Sequence, residues 1–150
     1  MVALFDNEEV GSDSIQGAGA PTMFQAMKRI IDSLANQYIR ESFIERAIRQ
    51  SFLVSADMAH GVHPNFMDKH EEHHRPELHR DFVVRNDMGC GSTIGPILAS
   101  GIGIRTVDCG ILQLSMHREI CGKEDIDIAY NHFKAFYQTF SSVDRKLNVD

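Results

Sequence analysis

The sequence predicts an α/β fold, a central mixed sheet flanked by helices, and three observations lead there. Short apolar runs suited to buried strands occur at Met1–Phe5, Ser51–Ala56 and Ile104–Val107. Longer stretches between them carry apolar residues at a 3.6-residue period. Strand-like and helix-like segments alternate along the chain, the pattern of layered α/β domains.

The elements follow in order. Met1–Phe5 reads as a core strand that gives way to Asp6-Asn7-Glu8-Glu9-Val10-Gly11, and Gly11–Ala20 is a small-residue loop. Pro21 suits the first turn of a helix, and Met23, Met27, Ile30, Ile31 and Leu34 form its apolar stripe. Phe43, Ile44, Ala47 and Ile48 mark a second helix, and both stripes are expected in the core. Ser51–Ala56 is a second strand, ending at Asp57. From Met58 to Arg80 the composition turns polar, with six histidines, Pro64 and Pro76, so a loop is expected. Phe82–Val84 fits a clipped strand, and Ser92 caps a helix running to Ser100, with Pro96 tolerated in its early turns. Ile104–Val107 and the semi-apolar Leu112–Met116 are further strands, the latter leading into His117. Asp125–Phe140 is a final amphipathic helix striped by Ile128, Phe133, Phe136, Tyr137 and Phe140.

Composition narrows the function classes. One domain accommodates 150 residues, and 43% hydrophobic content supports a core. Fifteen basic against twenty-one acidic residues leave a net charge of −6, without the basic stripe of a nucleic-acid binder. Cys90, Cys109 and Cys121 are odd in number and lack CxxC spacing, which argues against a disulfide framework or a cysteine zinc site and for a reducing, cytoplasmic setting. No apolar segment is long enough to span a membrane, and the start lacks the features of a signal peptide.

Three apolar runs each end in a metal-type ligand: Glu9 beside Glu8, then Asp57, then His117. Strand ends are where α/β folds commonly assemble sites. Zinc accepts carboxylate with imidazole, and a catalytic site keeps a coordination position open for water. Two adjacent carboxylates can divide such chemistry, one holding a cation and the other moving a proton. A rival signal lies at His70-Glu71-Glu72-His73-His74, which matches the zinc-binding helix H-E-x-x-H. That motif needs a stable helix under both histidines, whereas this stretch is polar with Pro76 just beyond. A solvated histidine loop is the expectation.

Leu4–Ser12, Ser55–His60, His63–Asn65, Asp68–Glu72, His74–Pro76, Arg85–Asp87, Thr93–Ser100 and Gln113–His117 resemble, in the right order and over nearly the whole chain, the aspartyl aminopeptidase family of two-zinc metallopeptidases. The resemblance implies a zinc-exopeptidase-like catalytic domain. It also implies a cytosolic, dodecameric enzyme that removes Asp or Glu from peptide N-termini, using a water activated by two zinc ions. In that scheme Glu8 is the general base, Glu9 and His117 share one zinc, Asp57 binds the other, and His60 contacts the substrate. The family carries the H-E-x-x-H string without using it as the metal site, so a protease of that type ranks third.

The chain also departs from the family. The family's bridging aspartate and a further histidine have no counterpart here, nor has its inserted assembly domain. Between His79 and Asp81 the family carries a hairpin and a helix, including a lysine and a tyrosine that hold substrate. Residues 1–150 are therefore expected to be a partial catalytic domain with a break near 79–81. A longer protein numbered consecutively across omitted segments is the favoured account, and a true truncation the other. The function expected is an acidic-residue aminopeptidase; the alternative is a non-catalytic fragment or assembly subunit of that family.

Overall fold

The computed structural model describes residues 1–8, 12–35, 42–84, 94–115 and 122–147. They fall into two compact units, Met1–Ser55 with Asn86–Asp108, and Ala56–Arg85 with Cys109–Asp150.

In the first unit, α1 (Thr22–Leu34) starts directly after Pro21, whose φ of −70° already suits a helix entry, and stops where Ala35 turns extended. The second helix, α2 (Phe43–Arg49), carries Glu45 in its first turn and Arg46 and Arg49 in its last, the charge order that complements the helix dipole. Arg46 lies over the Phe43 ring at 5.7 Å. Strand β1 (Phe52–Ala56) runs on into the second unit. Helix α3 (Ile94–Ile102) closes through Gly103, whose left-handed φ of 68° lets its N–H reach the Ala99 carbonyl at 2.9 Å. Strand β4 (Arg105–Gly110) follows and is the sheet neighbour of β1.

The second unit holds β2 (Ala59–His60), a 3-10 helix at Pro64–Lys69, β3 (Val83–Val84), β5 (Leu112–Gln113) and α4 (Lys123–Asp144). Strands β2 and β5 are parallel, with Ala59 opposite Leu112 and His60 opposite Gln113. The end of β4 pairs antiparallel with β3, Val83 opposite Gly110 and Val84 opposite Cys109. Parallel and antiparallel pairs together bear out the mixed α/β arrangement. Ala59, Val83 and Leu112 form the buried cluster, with Leu78 packed against it.

Several expectations are corrected. Met1–Phe5 is not a strand: it has no ladder partner among the described residues, and Leu4 is 94% exposed. A run of apolar residues makes a strand only where another strand meets its backbone. The apolar stripe of α1 is not core throughout, since only Met23 is buried while Ile30 and Leu34 are exposed; α2 buries Ile48 and exposes Phe43. The segment 58–80 is not all loop, because β5 recruits Ala59–His60 into a ladder and His63 Nδ1 accepts the Asn65 N–H to start the 3-10 helix. Strand β5 covers 112–113, Leu114 and Ser115 lie beyond it, and Met116, the end of the expected strand, is outside the described residues. The expected helix cap at Ser92 lies outside the described residues. Among the described residues, no helix is long and apolar enough to cross a membrane.

Candidate metal centre

Asp57 stands where β1 ends, as its position after an apolar run predicts. Its N–H donates to the Cys109 carbonyl at 3.0 Å, and the pattern continues as Ala59 N–H to Ile111 at 2.8 Å and Gly61 N–H to Gln113 at 2.9 Å. The backbone from Asp57 to Gly61 is thus pinned along one parallel partner. The Asp57 side chain is partly buried, and its Oδ1 accepts the Met58 N–H at 2.7 Å, which orients the carboxylate against the main chain.

His60 is half-buried on the same ladder, opposite Gln113. His117 follows Gln113 by four residues in sequence and lies outside the described residues, as does Glu9. Glu8 belongs to the first unit, where it is half-buried just after a sharp reversal. Asn7 adopts a left-handed φ of 62°, a conformation asparagine tolerates better than most residues, and the Asp6 N–H reaches the Gln16 carbonyl at 3.2 Å. Asp57 and His60 are therefore brought onto one ladder.

Among the described residues, no three His, Cys, Asp or Glu side chains gather as a metal-holding group. Of the three ligands assigned by resemblance, Asp57 alone is described. Its donor chemistry, a half-buried carboxylate held at a strand end, fits one arm of a zinc site. The H-E-x-x-H string does not. Residues 70–74 form no helix, so His70 and His74 are not stacked on one helical face. His70 instead ends the 3-10 helix, its N–H donating to the Met67 carbonyl at 3.3 Å, and the His74 N–H closes a turn onto the Glu71 carbonyl at 3.0 Å.

Two residues that sequence reasoning passed over govern this region. Gly110 is one: a Cβ there would collide with the Asp57 carbonyl and lie 3.0 Å from the Cβ and nitrogen of Ala59. A glycine within a strand is the available signal, since it often marks close backbone approach. The other is Asp125, 2% exposed, whose carboxylate accepts the His79 N–H at 2.6 Å and the Gly122 N–H at 2.9 Å. It ties the start of α4 to the turn at 78–80, where His79 has φ of 67° and the Arg80 N–H meets the Glu77 carbonyl at 3.3 Å.

Comparison with known proteins adds an independent line. The family model for aminopeptidase I zinc metalloproteases (M18) matches residues 1–84 and 80–137. A probable aspartyl aminopeptidase of Ricinus communis is 50% identical over 186 aligned residues, covering 100% of this chain and 37% of that protein. The aspartyl aminopeptidase of Dictyostelium discoideum is 39% identical over 183, covering 95% and 38%. Among solved structures, the S. cerevisiae mApe1 dodecamer superposes with a TM-score of 0.85 at 27% identity, covering 97% of this chain and 39% of that one. The chain thus spans well under half the length of these relatives.

Proposed function

The chain belongs to the aminopeptidase I zinc metalloprotease (M18) family, and from that premise we propose that it is part of the catalytic domain of a metal-dependent aminopeptidase that removes N-terminal aspartate or glutamate from peptides. The observation that carries this reading is the family match across both segments of the chain. It is joined by the names of the Ricinus and Dictyostelium relatives, which specify the aspartyl activity.

In the proposed reaction Glu9 and His117 hold one zinc ion and Asp57 the other. Zinc, when bound, lowers the pKa of a water and polarises the scissile carbonyl. Glu8 accepts the proton from that water and returns it to the leaving amine, a task open to a carboxylate that ligates neither ion. His60 contacts the bound peptide. The parallel ladder from Asp57 to Gly61 keeps the Asp57 and His60 backbones in fixed register. Assembly into a homo-oligomer, dodecameric as in the yeast relative, and a cytoplasmic location complete the proposal.

A specific observation also favours a second reading, a non-catalytic fragment or subunit. The Ricinus alignment runs over 186 positions against a chain of 150 residues, leaving about 36 positions of the relative without a counterpart. The two family-matched segments meet at 80–84, beside the turn that Asp125 clamps. This supports a missing stretch near 79–81, where the family holds substrate. Intact mass measured together with turnover of a peptide bearing N-terminal aspartate separates the readings. Chelator-sensitive turnover, restored by zinc, supports the enzyme. A protein of 16.9 kDa that is folded, zinc-loaded and inert would overturn it for this chain and leave the second reading.

A further inference from the structure

Asp57 takes its direction from a ladder, whereas Glu8 follows Met1–Phe5, which has no ladder partner among the described residues. A different device holds the chain ahead of Glu8. Asp6 and Gln16 close a loop between them, the Asp6 N–H donating to the Gln16 carbonyl at 3.2 Å. A second tie lies one residue on, where the Asn7 Nδ2 amide donates to Gln16 Oε1 at 3.4 Å. Immediately before Glu8, the backbone of Asn7 turns left-handed with φ of 62°.

Gln16 is itself held in place. The Gly17 N–H donates to the Ser14 carbonyl at 3.1 Å, the Gly19 N–H donates to the Ser12 carbonyl at 3.0 Å, and Ala18 is buried. A Cβ on Gly17 would collide with the Ser12 carbonyl, so this loop packs backbone on backbone. Asp6 and Asn7 are thus fastened to a segment with internal bonds of its own.

We propose that Asn7 is a positioning residue, its left-handed backbone, tied to Gln16, aiming the Glu8 carboxylate at the reacting water. This role rests on that of Glu8 as general base. The two backbone dihedrals of residue 7 fix the direction in which residue 8 leaves the preceding chain, so an extended Asn7 would send the Glu8 side chain elsewhere. Residue type controls that choice: asparagine enters the left-handed region several times more readily than most residues, glycine enters it freely, and a β-branched residue is an outlier there. Asparagine adds what glycine lacks, a side chain that reaches Gln16. The competing account is a solvated turn that only links two segments, since Asn7 and Gln16 are both exposed. Such a turn would leave turnover independent of how well residue 7 tolerates a left-handed backbone.

The test compares Asn7→Val, Asn7→Ala and Asn7→Gly in the whole enzyme, reading kcat, KM, zinc content and hydrogen exchange of the Asp6 amide. Asn7→Val is expected to lower kcat about tenfold to a hundredfold, the scale of a misplaced catalytic group. KM, zinc content and circular dichroism should stay as in wild type, while the Asp6 amide exchanges faster. Asn7→Ala should fall between, and Asn7→Gly should keep kcat within a few-fold of wild type. The alanine variant decides the matter if the valine variant fails to fold. Wild-type kcat in the valine and alanine variants, a glycine variant as slow as the valine one, or zinc loss that accompanies the fall in kcat overturns the role of Asn7 and leaves the aminopeptidase reading standing. So does a wild-type Asp6 amide that exchanges as fast as an unstructured one, because the tie to Gln16 would then be absent. The aminopeptidase reading fails separately, through a wild type inert toward an N-terminal aspartyl peptide or a Glu8→Gln variant as active as wild type, and either result removes the role of Asn7 with it.

Discussion

The carbonyl oxygen of Asp57 occupies the space that a side chain on Gly110 would need. Two strands approach this closely because position 110 is glycine, and the approach lets the Asp57 N–H bond to Cys109. Gly110→Ala should force β1 and β4 apart at this point. The expected cost is about 1–3 kcal/mol of folding stability, typical of overpacking, read as a lower urea midpoint. Zinc content should fall with it if Asp57 is a ligand. An unchanged midpoint would mean the contact relaxes freely.

Glu8→Gln should leave zinc content intact while lowering turnover of an N-terminal aspartyl peptide by about a hundredfold to ten-thousandfold, because an amide cannot take up the proton. Metal analysis and steady-state rates on one preparation decide it. Turnover within a few-fold of wild type would remove Glu8 from the role of general base.

Glu9→Ala, His117→Ala and Asp57→Ala should each reduce bound zinc, measured by metal analysis after dialysis. Full stoichiometry in all three would place the ligands elsewhere. His60→Ala should instead keep the metal and raise KM, since its proposed contact is with the peptide.

Asp125→Ala should strip two backbone N–H groups, those of His79 and Gly122, of their buried acceptor. Unsatisfied buried donors cost about 1–3 kcal/mol, so a corresponding drop in unfolding free energy is expected. Asp125→Asn should recover part of the loss, because its side-chain oxygen still accepts. Wild-type stability in the alanine variant would show that water replaces the carboxylate there.

Much of the layout was legible because the signals are local. A proline before a 3.6-residue stripe located α1, and the run from Phe52 to Ala56 located β1 and put Asp57 at its end. The motif strings placed the chain in its family, and the polar context of His70–His74 correctly argued against a zinc helix there. Glu9 and His117 lie outside the described residues, so their assignment still rests on those strings.

The amino-acid order was enough to locate the four described α-helices, the carboxylates that end apolar runs and the family they belong to, since periodicity, proline placement and motif spacing act within a few residues, but not the 3-10 helix at Pro64–Lys69. Folding in three dimensions decided the rest. Met1–Phe5 is apolar enough for a strand yet has no ladder among the described residues, while the two-residue strand Ala59–His60 exists because Leu112–Gln113 lies alongside. Which stripe becomes core was likewise settled by partners, so Met23 is buried and Leu34 is not. Strand pairing and burial depend on what a distant part of the chain brings near, and no local pattern contains that information.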